Sequence, residues 1–330
     1  MKAIIPVAGA GTKLRPHTYT QPKALIPVAG KTVLSYIIEQ LADAGVTEFI
    51  LVVGYLGDKI MDYAKTNYPH LNISIIHQNE RKGLGHAVYL CKEAVQHDEL
   101  IITLGDTICE YNVSEMMSRP GSVLCIKKVD DPREFGVAET DETGAVTRVI
   151  EKPQIPRTNN ALVGIYKIAD SDMMFRCLEQ VMKVCCSEDD EMGLTPALDC
   201  MIASGERFSS LKVTNWFDCG KKETLLESNA TLLKKWGSEV SGQENFENTI
   251  IVPPVRIAPG CQISNAIIGP NVTIGEQTLI QYSIIKDSIV GSFSKLYDVV
   301  LNDSLIGSDT EIKGETRTLN IGDNTEIDLG

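Results

Sequence analysis

Residues 1–16 read MKAIIPVAGAGTKLRP, and this stretch decides the fold of the first part of the chain. The apolar run KAIIPVA (2–8) is typical of a buried strand. It is followed by Gly9-Ala10-Gly11-Thr12 and then by the cation Lys13. Glycines let backbone N–H groups turn toward an anion without interference from Cβ atoms. Because ligands of open parallel sheets bind at the carboxyl ends of the strands, this loop predicts a phosphate-binding sheet edge.

Short apolar runs alternate with helical patterns over the first hundred residues. This alternation indicates right-handed crossovers and a mostly parallel sheet covered by helices on both faces. Strands then follow one another, with a hairpin turn expected at Asp141–Gly144. Further helices are expected near residues 170–183, 194–204 and 221–235. We therefore predict an α/β, Rossmann-like domain over residues 1–236.

The end of the chain has a different rhythm. Residues 237–250 are polar and contain two glycines, which is typical of a linker. Over residues 251–330 aliphatic residues recur about every six positions, several of them followed by glycine, with occasional steps of five. We expect these aliphatic side chains, Val300 included, to point inward in a small parallel β-helix of roughly four coils. A β-sandwich fits less well, since alternation of period two is poor.

Composition limits the possible partners. The 31 basic and 44 acidic residues give a net charge of −13, which repels nucleic acid polymers over most of the surface. Glycines end the first apolar run too early for a signal peptide or a membrane span, so we expect no membrane association and a cytoplasmic location. The nine cysteines form no C-x-x-C pair, and their apolar settings predict reduced, buried thiols.

The stretch GAGTKLRPHTYTQPKALIP (9–27) resembles the signature of the nucleotide-sugar pyrophosphorylases, or sugar-1-phosphate nucleotidylyltransferases. In that family a G-x-G-T-R-L-x-P loop is followed by P-K-x-L-x-P. Later motifs occur here in the family's order: QNERKGLGHAV, LGD, FGV, EKP, NNALVG, LTP and WFDCG. PVAG and GLGHAV look most like the UTP–glucose-1-phosphate branch, whereas the compact length looks more like the dTTP branch. The C-terminal repeats resemble a left-handed, hexapeptide-repeat β-helix.

The resemblance implies a Mg²⁺-dependent transfer of a nucleoside monophosphate from UTP or dTTP to glucose-1-phosphate, with release of pyrophosphate. The attacking phosphate oxygen is already anionic, so no general base is needed. Catalysis then depends on bringing two polyanions together and neutralising their charge. Asp106, which ends the strand LIITLGD, and Asp218 in WFDCG match the family's metal-binding carboxylates.

The resemblance also assigns the other site residues. Lys13 and Lys23 match cations that contact the phosphates, with Arg15 as a further charge beside them. Lys13 stands where the family has Arg, which keeps the charge but loses the bidentate fork. The matched nucleotide-binding residues are Ala8, Gly9, Ala10, Gly11, Thr12, Gln78 and Gly83. The matched sugar-phosphate residues are Gly136, Glu151, Lys152, Asn159 and Val163.

Several alternatives remain open from the sequence. The same chemistry could use another pair of substrates, such as GTP and mannose-1-phosphate. Thr195-Pro196 stands where many family members have Thr-Asp, so the identity of the sugar stays open. A catalytically silent regulatory subunit would be expected to lose the carboxylates or Lys23, and all three are present. An acyltransferase site in the β-helix would need a base, yet residues 251–330 contain no histidine. We also expect a homo-oligomer formed through the β-helix domain.

Overall fold

The computed structural model of the chain describes residues 1–184, 191–242 and 246–315. The chain divides into two compact units, the first formed by residues 1–27 and 31–228 and the second by residues 28–30 and 229–330. Within the described ranges, no helix combines the length and the apolar character that crossing a membrane requires.

The strands that precede residue 228 are β1 (Lys2–Pro6), β2 (Pro27–Val28), β3 (Lys31–Thr32), β4 (Glu48–Val53), β5 (Asn72–His77), β6 (Leu100–Thr103), β7 (Thr107–Glu110), β8 (Ser122–Lys128), β9 (Gly136–Thr140), β10 (Ala145–Glu151), β11 (Asn160–Ile168), β12 (Phe208–Lys212) and β13 (Asn215–Asp218). The helices are α1 (Val33–Asp43), α2 (Gly57–Asn67), α3 (Leu84–Tyr89), α4 (Lys92–Val95), α5 (Val113–Ser118), α6 (Ser171–Val184), α7 (Thr195–Ala203) and α8 (Lys222–Trp236). Single 3₁₀ turns cover Thr12–Leu14, His17–Tyr19 and Lys23–Leu25.

A nine-stranded sheet in the order β5-β4-β1-β6-β11-β8-β12-β10-β9 forms the centre of the first unit. The strands β5, β4, β1 and β6 are parallel, as the alternating pattern predicts. Beyond them the sheet is mixed, because β11 runs antiparallel to both β6 and β8. The predicted hairpin is present, since β9 and β10 pair around a turn at residues 141–144. The α/β prediction is therefore confirmed.

The register of the parallel strands places the candidate ligand loops at one edge of the sheet. Ile4 of β1 pairs with Ile50 of β4 and with Ile102 of β6, and all three side chains are buried. Their carboxyl ends therefore lie side by side. The loop at residues 8–12 follows β1, and the segment 104–106 follows β6.

The second unit contains short parallel strands wound into coils. They are β14 (Glu239–Val240), β15 (Ile250–Ile251), β16 (Val255–Ile257), β17 (Gln262–Ser264), β18 (Ile267–Ile268), β19 (Val272–Ile274), β20 (Leu279–Gln281), β21 (Ile284–Lys286), β22 (Ile289–Val290), β23 (Lys295–Tyr297), β24 (Val300–Asn302), β25 (Leu305–Ile306) and β26 (Glu311–Lys313). They form three sheets, here called the first face (β14-β16-β19-β22-β25), the second face (β15-β18-β21-β24) and the third face (β17-β20-β23-β26). The predicted parallel β-helix is confirmed.

Steps of five and six residues have a simple geometric origin. Two corners of each later coil consist of only two residues, one of them at positive φ, such as Asp287 and Asp298. The third corner takes four residues. Strand partners on the second face are accordingly 17, 17 and then 16 residues apart. Glycine is required at the four-residue corner, because a Cβ on Gly291 would collide with the backbone of the next coil at Ser308.

Two details of the predicted β-helix differ in the structure. Val300 points outward and is exposed, while Leu301 packs against the core, because the corner before Val300 has only two residues and shifts the alternation by one. The prediction that Val300 faces inward is wrong. Within residues 237–250, β14 pairs with β16 and β15 pairs with β18, so these strands belong to the parallel sheets.

Cysteines divide into two groups. Cys91, Cys109, Cys125, Cys219 and Cys261 are buried and free, as predicted. Cys177 and Cys200 form a disulfide between α6 and α7, so the prediction that every thiol is reduced is wrong for this pair. The two helices bring the Cα atoms to 5.8 Å, a separation that residue spacing does not reveal. Cys185 and Cys186 lie outside the described residues.

Candidate active site

A cavity of about 390 Å³ opens at the sheet edge where β1 and β6 end. Its lining includes Ala8, Gly9, Ala10, Gly11, Thr12, Lys23, Gln78, Gly83 and Asp106. The structure thus brings together all the residues matched to nucleotide binding, one of the matched cations and one matched carboxylate.

The glycine loop combines an open side with a packed side. A Cβ on Gly9 would meet no protein atom within 4 Å, so a ligand can approach the backbone there. A Cβ on Gly11, whose φ is +60°, would lie 2.9 Å from the Thr18 side chain and 3.0 Å from that of Lys23. Thr18 Oγ1 also donates to the Gly11 carbonyl at 2.8 Å. The absence of a side chain at Gly11 therefore lets the loop pack directly against Lys23.

Lys23 lies between two acidic segments. Its Nζ is 2.5 Å from Asp106 Oδ2, and its side chain is 18% exposed. A Cβ on Gly220 would be 3.3 Å from the same Nζ and 2.7 Å from Asp218 Oδ1. Asp106 and Asp218 converge because β7 pairs antiparallel with β13, so that Thr107 and Asp218 are register partners. The convergence implied by the resemblance is thus present in the fold.

Cys219 lies beside both aspartates. Burial and then the nearby carboxylates of Asp106 and Asp218 raise the pKa of this thiol to about 12. The thiol is therefore neutral at physiological pH and is unsuited to act as a nucleophile or a thiolate ligand.

Gln78 is fixed by the turn that carries Gly83. The Gln78 side-chain amide Nε2 donates to the Gly83 carbonyl at 3.0 Å and lies 3.1 Å from His86 Nδ1. The carbonyl can only accept, which fixes the amide orientation and leaves Oε1 as the acceptor atom of Gln78. Burial, and then the nearby Lys82 charge, lowers the pKa of His86, which favours the neutral ring that accepts at Nδ1.

A second cluster surrounds Glu151 at the end of the β9–β10 hairpin. Thr195 Oγ1, at the start of α7, donates to Glu151 Oε2 at 2.6 Å. A Cβ on Gly136 would lie 3.1 Å from that Oε2 and 3.2 Å from the Thr195 hydroxyl. Glycine at residue 136 therefore keeps space open beside this carboxylate.

Residues 192–195 connect the two clusters. Met192 exchanges backbone hydrogen bonds with the turn around Gly83, accepting from Gly85 N at 2.7 Å and donating to the Lys82 carbonyl at 2.8 Å. Thr195 follows only three residues later, so the chain spans at most ~10 Å between them. The cavity and the Glu151 cluster are therefore neighbours.

Residues 2–235 of the chain match the family described as nucleotidyl transferase. The chain belongs to the nucleotidyl transferase family. Three relatives extend the match beyond that domain. The chain is 32% identical to the low-salt glycan biosynthesis nucleotidyltransferase Agl11 of Haloferax volcanii over all of both chains. It is 30% identical to a glucose-1-phosphate thymidylyltransferase of Streptomyces antibioticus over 100% of this chain and 99% of that protein. It is 34% identical to the bifunctional protein GlmU of Methanocaldococcus jannaschii over 97% of this chain and 81% of that protein.

A solved structure shows the same fold for the larger unit. A UDP-glucose pyrophosphorylase complexed with UDP-glucose superposes with a TM-score of 0.63 at 24% identity, covering 71% of this nucleotidyl transferase and 98% of that chain.

Some matched residues of this nucleotidyl transferase do not line the cavity. Lys13 and Arg15 are on the exposed side of the loop, with the Arg15 guanidinium 5.0 Å from the Tyr19 ring centroid. Lys152, at φ +41°, donates its backbone N–H to the Phe135 carbonyl and has an exposed side chain. Asn159 is exposed, and Val163 is buried.

The nucleotidyl transferase site also contains residues that the motifs do not indicate. Arg81 and Glu191 line the cavity. Asn160 lies one residue beyond the matched Asn159, and its Oδ1 is buried without a hydrogen-bond partner among the described residues. Alternation along β11 places Asn160 on the same face as Leu162, whose Cδ1 lies next to Gly136. The sequence feature that indicates Asn160 is its place as the second asparagine of NNALVG, which the periodicity assigns to the strand.

Proposed function

We propose that this nucleotidyl transferase transfers a nucleoside monophosphate from UTP or dTTP to glucose-1-phosphate and releases pyrophosphate. The observation that carries the proposal is the ion pair of Lys23 and Asp106 in a cavity bounded by a glycine loop and by Gln78. A cation, a carboxylate and open backbone N–H groups within one cavity suit a triphosphate with its counter-ion.

The base preference is proposed from the Gln78 acceptor. Its two amide protons are directed at the Gly83 carbonyl and at His86, so Oε1 is the atom of Gln78 that remains to accept a hydrogen bond from a ligand. Uracil and thymine offer a donor at N3–H that matches it. The relative from Streptomyces antibioticus carries the name thymidylyltransferase, which supports a pyrimidine.

The sugar phosphate is proposed to bind beside Glu151. The Thr195 hydroxyl holds one carboxylate oxygen, and the other remains to accept hydrogen bonds from sugar hydroxyls. Gly136 leaves room beside it. Lys152 and the buried acceptor of Asn160 complete the proposed contacts, with Asn159 and Val163 as supporting positions.

Magnesium is proposed as the cofactor because the donor set fits it. Asp106 immediately precedes β7, and Asp218 ends β13, the strand paired with β7, so both can offer carboxylate oxygens. Two carboxylates with phosphate oxygens are a usual Mg²⁺ shell. In the ranges that the structure describes, no cluster of three or more His, Cys, Asp and Glu could hold a metal alone. The remaining ligands would come from substrate and water. A bound Mg²⁺ would supply positive charge at the phosphate oxygens.

The residues of the chain then act by position and charge. The loop at residues 9–12 holds the triphosphate, Lys23 neutralises the phosphates, and Lys13 and Arg15 are proposed to approach the leaving pyrophosphate from the exposed side. The sugar-phosphate oxygen attacks the α-phosphorus as the bond to pyrophosphate breaks. No proton is removed from the nucleophile, so the assignment needs no general base.

A substrate panel tests this proposal. Pyrophosphate release is measured with UTP, dTTP, GTP and ATP, each paired with glucose-1-phosphate, mannose-1-phosphate and N-acetylglucosamine-1-phosphate. Turnover with a pyrimidine triphosphate and glucose-1-phosphate is expected. Turnover only with GTP and mannose-1-phosphate would replace the proposed substrates by that pair. Binding of the substrates without any turnover would favour the catalytically silent regulatory subunit.

We also propose that residues 1–236 form the nucleotidyl transferase domain, residues 237–250 the linker and residues 251–330 the β-helix domain. The proposal further includes a cytoplasmic location and self-association through the β-helix domain. Acyl transfer in the β-helix domain is not favoured, because residues 251–330 contain no histidine that could act as a base. Thioester loss with an acyl-CoA and a sugar phosphate would restore that candidate.

A further inference from the structure

The cavity of the candidate active site has two cations in its lining, and only one of them is already paired. The charged side chains in its described lining are Lys23, Arg81, Asp106 and Glu191. Lys23 is bound to Asp106 at 2.5 Å. Within residues 1–184, 191–242 and 246–315 Arg81 forms no ion pair, and Glu80 beside it is bound by Lys82 at 2.5 Å. Arg81 can therefore bind an anionic ligand without first giving up a carboxylate.

The Arg81 guanidinium packs on the ring of Tyr55. Its carbon Cζ lies 5.7 Å from the ring centroid, which is within the range of a cation–π contact. The N–H groups of a guanidinium lie in its plane, so a face packed on a ring leaves them available to an oxyanion. The ring thus fixes the position of the charge and leaves the forked donor edge open.

Tyr55 places this guanidinium beside the glycine loop at residues 9–12. Tyr55 follows β4 and is attached to the chain on both sides of the loop. Its backbone N–H donates to the Ala8 carbonyl at 3.4 Å, and its hydroxyl donates to the Tyr19 carbonyl at 3.0 Å. Because Arg81 rests on this ring, its charge is held next to the loop that is the proposed site of the triphosphate.

The strand order puts the two cations on opposite sides of the loop. β4 and β6 flank β1, the strand from which the loop extends. Arg81 and Tyr55 lie on the β4 side, whereas Lys23 is bound to Asp106, which follows β6. A polyphosphate whose reacting group lies at Lys23 and Asp106 can therefore extend along the loop toward Arg81.

We propose that Arg81 binds the two outer phosphates of the nucleoside triphosphate, which leave as pyrophosphate, and that Tyr55 is its positioning residue. The inference rests on the proposed function and adds a residue to which that function assigns no role. A guanidinium can donate two parallel hydrogen bonds to one phosphate. Negative charge develops on the pyrophosphate as it leaves, so Arg81 stabilises the transition state as well as the bound substrate.

Calorimetric binding of UTP, UMP and uridine tests this contact without turnover. Arg81→Gln should raise the Kd of UTP about tenfold, the effect of losing a hydrogen bond to a charged group. The Kd values of UMP and uridine should not change, since both lack the outer phosphates. Arg81→Lys keeps the charge but not the fork and should give a smaller rise. Arg176→Gln removes the same charge from an exposed position of α6 and should change none of the three.

Tyr55→Leu tests the positioning role. Loss of the ring should raise the Kd of UTP about threefold in the wild-type background, which is the size of one exposed cation–π contact. It should add nothing in the Arg81→Gln background, because the ring acts through the guanidinium. Additive losses would show that Tyr55 does not act through Arg81.

Kinetics distinguish failure of this inference from failure of the proposed function. In the reverse reaction Arg81→Gln should raise the KM for pyrophosphate and leave the KM for the nucleotide-sugar unchanged. If the wild type turns over UTP with glucose-1-phosphate while Arg81→Gln keeps the wild-type Kd of UTP, this inference is wrong and the proposed function stands. An equal loss for uridine and UTP would also overturn it, because Arg81 would then contact the base. A wild type that binds no triphosphate would overturn both.

Discussion

Replacing Thr195 by Val removes one hydroxyl and nothing else of size. That hydroxyl donates to Glu151 Oε2 at 2.6 Å, and Thr195 is only 6% exposed. Hydrogen bonds to charged groups contribute about 1.5–3 kcal/mol. Glu151 is an exposed residue, so we take the lower end, about 1.5 kcal/mol. This corresponds to roughly a tenfold effect on sugar-phosphate binding.

The kinetics separate positioning from folding. Glu151 is proposed to bind the sugar equally in the ground and transition states, so Thr195→Val should raise the KM for glucose-1-phosphate about tenfold with kcat nearly unchanged. The KM for the triphosphate should not move. Thr195→Ser keeps the hydroxyl and should retain wild-type constants. Helix capping does not complicate the result, because the N-cap of α7 is Leu194 and no side chain caps this end.

The outcome that would refute this reasoning is specific. If Thr195→Val and Thr195→Ser both keep the wild-type KM for the sugar phosphate while the purified variants are folded, Glu151 does not bind the sugar. The Glu151 cluster, with Thr195 and Gly136, would then be assigned a role in packing only.

Further predictions concern charge, pH and core packing. Asp106→Asn should lower kcat by ~10²-fold or more, since one well-placed electrostatic group commonly contributes about 3 kcal/mol; normal turnover of pyrophosphate would place the metal elsewhere. Burial lowers the pKa of His86, so below about pH 6.5 the unfolded chain takes up this proton first and stability falls with falling pH. A protonated Nδ1 becomes a donor and can no longer accept the hydrogen bond from Gln78 Nε2. The KM of the wild type for the triphosphate should therefore rise as the pH falls through the lowered pKa of His86, whereas His86→Asn, which keeps an acceptor, should give a flat profile. Equal profiles would remove His86 from this role. Ile280→Ala should cost about 2–5 kcal/mol in denaturant unfolding, because Ile280 is fully buried, and the outward Leu279→Ala should cost much less.

Local patterns predicted the parts of the fold that depend on neighbours in sequence. The run KAIIPVA predicts β1, and glycines at residues 9 and 11 predict a loop open to a ligand. The hairpin at residues 141–144 follows from turn residues. Family resemblance, not spacing, brought Asp106 and Asp218 together, since their approach depends on the pairing of β7 with β13.

Contacts between distant elements could not be predicted in the same way. The disulfide of Cys177 and Cys200 depends on two helices packing side by side, and the Thr195–Glu151 hydrogen bond joins a helix start to a strand end. A period of six treats all corners as equal in length and therefore predicts that Val300 points inward, whereas the coil has corners of two and four residues.

A crystal structure with UTP, Mg²⁺ and a non-reacting sugar phosphate tests the central claim most directly. The account predicts phosphates against the backbone of residues 9–12 and Lys23, the base at Gln78 Oε1, and the metal bound by Asp106 and Asp218. A nucleotide outside this cavity, or a metal that neither aspartate contacts, would contradict it.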